Sequence, residues 1–249
     1  MDKDKIVIEI CCGSYEDVIA SKQAGAHRAE LNSALFLGGL TPSLGNFLLA
    51  KKIGGIEVLP MVRPRPAGFY YSAAEYETMV CDAEAFIEND ADGIVFGFLN
   101  EDGTVDEKRT AEFVHIAKGR TAVFHRAFDF TPDPFAAMET LINCGVTRIL
   151  TSGQAPSVPE GIELIKALAE KSKGRIEILP GAGIRPANVA NVIKQTGVTQ
   201  VHFSAMIQKH EPSSQNNPSI YFGGALRPRE DVFDVVSADK IAKVTDAIV

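Results

Sequence analysis

Short apolar runs alternate with longer stretches of helical periodicity along most of this chain. This alternation is typical of repeated βα units on a parallel sheet. The apolar runs predict eight strands, near residues 6–11, 27–32, 56–62, 92–98, 121–126, 147–151, 175–180 and 199–204. The helical stretches predict eight helices, near residues 15–24, 43–52, 75–89, 106–117, 133–143, 159–172, 186–196 and 230–248. Eight βα units predict an α/β protein with the TIM (β/α)8 barrel fold.

A doubly wound open sheet is the alternative architecture. That fold normally carries a GxGxxG turn after its first strand, and the turn here reads Cys11-Cys12-Gly13-Ser14. At 249 residues the chain has the length of one barrel, so we expect a single domain over residues 1–249. Residues 206–229 are too long and too polar for a plain connector, which predicts an irregular loop over the catalytic face. This loop would be either a substrate lid or a mobile surface loop.

Polar residues interrupt the strands at positions that share one face. Residues two apart on a strand point the same way, and the outer face of a barrel strand must meet apolar helices. Glu9 and Cys11 therefore point into the barrel, opposite Ile8 and Ile10. The same argument turns inward Glu30, Asn32, Met61, Arg63, His125, His202 and Ser204.

These inward side chains predict acid/base chemistry on a small anion. His125 is the candidate proton carrier, and Glu9 or Glu30 would orient it, act as base or bind a divalent metal. Asp129 follows in the same segment and is a further catalytic candidate, although it could equally cap the next loop. Glu30 could instead form a buried ion pair with Arg63.

Two groups of residues are candidates for binding the substrate. Arg63 and Arg65 could hold an anion through paired hydrogen bonds. Gly181 and Gly183, with Ser204 after the next strand, lie where barrels often hold a phosphate, although such glycines also simply permit a tight turn. His202 either joins the substrate site or is a hydrogen-bonded interior residue.

Composition and charge narrow the classes of function. The formal net charge of −7 argues against nucleic-acid binding and against an anionic membrane surface, since both require a basic face. No apolar run approaches the roughly 20 residues of a membrane span, and the first residues lack the apolar core of a signal peptide. The four cysteines show no CxxC spacing. We expect a cytoplasmic protein with reduced thiols.

Several strings together resemble the CutC family. The most distinctive are Gly38-Gly39-Leu40-Thr41-Pro42-Ser43, Phe124-His125-Arg126-Ala127-Phe128-Asp129 and Leu150-Thr151-Ser152-Gly153-Gln154, and the resemblance covers about residues 1–205. It implies a cytosolic TIM-barrel homodimer that binds copper and takes part in copper homeostasis, with Cys11 as the soft ligand.

Two functional hypotheses follow from these residues. The first is a copper-binding protein. Cu(I) prefers two or three sulfur ligands, and Asn32 stands where animal members of the family carry a cysteine, which leaves Cys11 and Met61 as the inward sulfurs. The second is a lyase, isomerase or hydrolase that acts on a small anionic metabolite, such as a phosphorylated one. A non-catalytic interaction scaffold would leave the polar barrel interior unexplained.

Overall fold

A closed barrel of eight parallel strands forms the centre of the protein, as the computed structural model of residues 6–224 and 228–248 shows. The strands are β1 Val7–Cys12, β2 Arg28–Leu31, β3 Glu57–Pro60, β4 Gly93–Phe96, β5 Thr121–Phe124, β6 Arg148–Thr151, β7 Glu177–Pro180 and β8 Gln200–Phe203. The helices between them are α1 Tyr15–Gln23, α2 Leu44–Lys52, α3 Ala73–Glu88, α4 Glu107–Ile116, α5 Pro134–Cys144, α6 Ile162–Ser172 and α7 Val189–Thr196. The predicted TIM barrel is confirmed.

The barrel closes through two arcs of four strands each. One arc has the order β3-β2-β1-β8 and the other β4-β5-β6-β7. Single parallel bridges between Met61 and Val95, and between Gly181 and His202, join the arcs at both seams. Every barrel strand therefore has two neighbours, and its polar main-chain groups are used within the sheet.

Side-chain caps determine where several helices begin. Ser72 and Glu75 form a reciprocal capping box at the start of α3, as their spacing predicts. Asp133 caps α5, whose first residue is Pro134. Among the described residues, no helix combines the length and the apolar character that crossing a lipid bilayer requires.

The segment after β8 differs from its prediction. It begins as a strand, β9 Met206–His210, which pairs antiparallel with β10 Val232–Val236. The last helix, α8, covers only Ala238–Asp246, so the helix predicted from residue 230 is wrong over its first part. Three valines and a phenylalanine among its five residues give β10 its strand character, and Ser237 caps α8. Residues 225–227 of this segment lie outside the described residues.

The barrel interior is divided into an apolar side and a polar side. Strands β3 to β7 contribute a buried apolar cluster, made of Leu59, Met61, Val95, Val123, Leu150 and Leu179. Strands β8, β1 and β2 instead bury charged and polar side chains, among them Glu9, Arg28, Glu30, Asn32, Gln200 and His202. The candidate chemistry is therefore concentrated on three adjacent strands.

Candidate functional site

The register of β8, β1 and β2 brings the inward polar residues side by side. Glu9 is the direct partner of Arg28 on one side and of His202 on the other. One layer higher, Cys11 is the direct partner of Glu30. The predicted inward orientation of these residues is observed.

His202 links the two carboxylates. Its Nδ1 lies 2.9 Å from Oε1 of Glu9, and its Nε2 lies 3.9 Å from Oε2 of Glu30. Asn32 completes the group, because its side-chain amide donates to Oε2 of Glu30 at 2.9 Å and lies 3.7 Å from Sγ of Cys11. The imidazole is thus fixed by Glu9, with its other nitrogen turned towards Glu30 and Cys11.

Cys11, Glu30 and His202 have the geometry of a metal-binding group. One ligand atom from each lies within 4.8 Å of the other two. Oε1 of Glu30 is buried and has no hydrogen-bond partner, so it is available to a ligand. A carboxylate on the far nitrogen of a histidine is the usual second-sphere arrangement in metal sites. These residues therefore fit a metal ion, with a thiolate, an imidazole and a carboxylate as its donors.

Two buried arginines, which the sequence analysis does not predict here, lie beside Glu9 in this cluster. Arg28 pairs with Glu9 at 2.9 Å and donates to Gln200 at 2.6 Å. Arg148 lies 3.8 Å from the same Glu9 oxygen. Alternation could have revealed Arg28 and Gln200, because they lie two residues before Glu30 and His202 and share their faces.

Burial and neighbouring charges determine the protonation of the cluster. Burial raises the pKa of Cys11 to about 11. Burial also raises the pKa of Glu30, although His202 opposes this effect. Burial alone would lower the pKa of His202, but Glu30, Cys11 and Glu9 hold it well above its usual value. Burial alone would raise the pKa of Glu9, but its hydrogen bond to His202 and the nearby cations lower it. At neutral pH the cluster therefore contains a thiol, an imidazolium and the Glu9 carboxylate.

His125 and Arg63 form a separate pair on the apolar side of the barrel. The two carboxylates expected beside His125 contact His202 instead. His125 packs against Phe69, with 4.8 Å between ring centroids, and Cζ of Arg63 lies 5.2 Å from the centroid of the same Phe69 ring. The alternative ion pair between Glu30 and Arg63 is not formed, because Arg63 donates to the main-chain oxygens of Leu37, Gly39 and Ala67.

Asp129 and Arg65 are engaged in holding loops. Asp129 accepts hydrogen bonds from Arg126, Thr151, Ser152 and the main chain of Gln154, and thereby joins the loops after β5 and β6. Arg65 pairs with Glu75 and donates to three main-chain oxygens of its own loop. Their predicted catalytic and substrate-binding roles stay predictions, and these contacts favour structural ones.

The two glycines after β7 have packing roles. A Cβ atom at Gly181 would lie 2.5 Å from Leu150 and 3.1 Å from the His202 ring. Gly183 has a φ of 77°, and a Cβ there would lie 3.0 Å from Ser157. Ser204 is exposed just beyond β8. The glycines allow close approach at the barrel seam, and an anion site at these loops stays a prediction.

Comparisons with known proteins point to one family. The family model described as the CutC family matches residues 6–207. A CutC family protein from Treponema denticola is 55% identical over 243 residues, which is 98% of this chain and 99% of that protein. A human protein named copper homeostasis protein cutC homolog is 39% identical over 235 residues, covering 94% of this chain and 86% of the relative. The structure of CutC from Streptococcus agalactiae matches with a TM-score of 0.76 and 34% identity, covering 80% of this chain and 98% of that chain.

Proposed function

Because the chain belongs to the CutC family, whose members include proteins named for copper homeostasis, we propose that it binds one copper ion at the mouth of its barrel. The ion would be held by Cys11, Glu30 and His202, and its binding would be the protein's part in copper homeostasis. The three donor atoms, which lie within 4.8 Å of one another, are the observation that carries this proposal.

The types of donor suit copper. A thiolate favours Cu(I), and imidazole and carboxylate also accept Cu(II), which forms the most stable complexes among the divalent first-row metals. Glu9 supports this role of His202, because it holds Nδ1 and leaves Nε2 for the metal. Met61, the other inward sulfur, packs in the apolar cluster with Leu59 and Val95. We therefore propose one sulfur ligand rather than two.

Titration of the reduced protein with copper, in competition with a chelator of known affinity, tests this function. We expect one equivalent to bind, and we expect Cys11→Ser and His202→Asn each to weaken binding at least about tenfold, because each removes one of three ligands. Cys81→Ser is the matched control, since Cys81 is an exposed thiol on α3. Equal losses in Cys11→Ser and Cys81→Ser, or unchanged binding in His202→Asn, would contradict the proposal.

The proposal extends to location and assembly. Cys11, Cys12, Cys81 and Cys144 are all free thiols, which fits a reducing compartment such as the cytoplasm. We propose a homodimer on the basis of the family resemblance. Light scattering coupled to size-exclusion chromatography would measure the mass of the assembly, and a monomer at micromolar concentration would refute the dimer.

A further inference from the structure

Two buried hydrogen-bond donors lack an acceptor where β3 and β5 end. They are Nε of Arg63 and Nε2 of His125, in residues that are 6% and 3% exposed. Buried polar groups in native proteins are nearly always hydrogen-bonded, because leaving one unpaired loses its interaction with water without replacement. Both atoms lie outside the copper site proposed above. The buried Tyr71 hydroxyl near Arg63 also lacks a well-aligned partner, so three unpaired polar groups lie in this part of the protein.

The charge of Arg63 is also unbalanced. Its terminal nitrogens donate to the main-chain oxygens of Leu37, Gly39 and Ala67, which are neutral groups. Within residues 6–224 and 228–248, no carboxylate forms an ion pair with this guanidinium. Buried charges in proteins are normally paired. A bound anion would balance the charge of Arg63.

His125 is an uncharged hydrogen-bond donor beside Arg63. Its Nδ1 accepts the main-chain N–H of Ala127 at 3.1 Å, so the proton of the neutral ring is on Nε2. Burial, and then the positive charge of Arg63, lower the pKa of His125 to about 3. At neutral pH the ring can donate a hydrogen bond through Nε2 but adds no charge.

Gly97 and Phe69 are the neighbours that define the position of the His125 ring. A Cβ atom at Gly97 would clash with Cε1 and Nδ1 of His125, so the absent side chain lets the imidazole lie over the end of β4. The ring of Phe69 then packs on both the imidazole and the Arg63 guanidinium. Phe69 is therefore a common neighbour of the two side chains.

We infer that Arg63 and His125 bind the carboxylate group of a small organic acid beneath Phe69. Two N–H donors match the two oxygens of a carboxylate, and one negative charge balances one guanidinium. A phosphate would leave further oxygens without donors in a buried place. The inference does not depend on copper, because Cys11, Glu30 and His202 take no part in the site.

The test uses metal-free, ¹⁵N-labelled protein titrated with sodium acetate, against sodium chloride at equal ionic strength. The side-chain N–H signals of Arg63 and His125 should shift and saturate, with a dissociation constant in the millimolar range. Arg63→Gln and His125→Asn should weaken binding at least about tenfold. Arg185→Gln is the matched control, since it removes the same charge from an exposed position after β7, at the same end of the barrel. We expect it to bind acetate within about twofold of the original protein.

Two results would overturn the inference. One is an equal loss in Arg185→Gln, because it would mean that only the general positive charge at this end of the barrel matters. The other is preferential binding of inorganic phosphate that survives in Arg63→Gln, because it would move the anion to the loops after β7 and β8. Arg63→Lys keeps the charge but lacks the Nε–H donor, so it should weaken acetate binding about tenfold. It replaces Arg63→Gln in the test if that variant fails to fold.

Discussion

At the scale of single residues, burial and neighbouring charges determine the protonation states of the candidate copper ligands. Cys11 lies in a place that keeps its thiol protonated, and His202 lies between two carboxylates that keep its ring charged. A metal binds the thiolate and the neutral imidazole, so both protons must leave when it arrives. Without metal, the cluster therefore carries protons on the same groups that would bind the metal.

Copper binding should release at least two protons at pH 7, one from Cys11 and one from His202. Because both groups lose a proton on binding, affinity should rise as the pH rises and fall as it drops, by at least about 100-fold per pH unit near neutrality. Calorimetry in two buffers of different ionisation enthalpy counts these protons. An affinity that does not change between pH 6 and pH 8 would refute the protonation states described here.

At the scale of elements, strand alternation predicts which residues face inward but not which of them meet. It identifies Glu9, Glu30 and His202 as interior residues. The pairing of Glu9 with His202 depends instead on the register between β1 and β8. These two strands lie at nearly opposite ends of the sequence. Such long-range register is set by barrel closure and not by local sequence. For this reason alternation alone does not show that Glu9 and Glu30 lie beside His202 rather than His125.

Local sequence also does not predict the hairpin of β9 and β10, because apolar and polar residues alternate only weakly along its two strands. In the folded protein Asp17 attaches it to the barrel. This buried carboxylate on α1 accepts the main-chain N–H of Val236 at 2.7 Å and that of Gly13 at 2.8 Å. The contact joins the first helix to the penultimate element of the fold.

Asp17→Ala should lower the free energy of unfolding by about 2–4 kcal/mol, because two N–H groups lose their acceptor. Glu16→Ala is the matched control, since Glu16 joins the same helix to Lys209 of β9 through an exposed ion pair. Pairs of that kind contribute about 0–1 kcal/mol. Urea denaturation of both variants measures the difference, and equal effects would argue against the role of Asp17.

At the scale of the whole molecule, the barrel separates two kinds of chemistry. One side of its interior is an apolar packing cluster, and the other is a charged network that ends in Cys11, Glu30 and His202. The sequence predicts the barrel well, because eight βα periods leave few alternatives. It does not predict this separation, since that depends on which strands become neighbours when the sheet closes.

The central claim is that copper binds through a single sulfur on the polar side of the barrel. X-ray absorption spectroscopy of the reduced protein loaded with one equivalent of copper tests it most directly. The account predicts one sulfur in the ligand shell, with nitrogen and oxygen as the other ligands, and loss of that sulfur in Cys11→Ser. A shell of two or more sulfurs, or a sulfur that remains in Cys11→Ser, would contradict it.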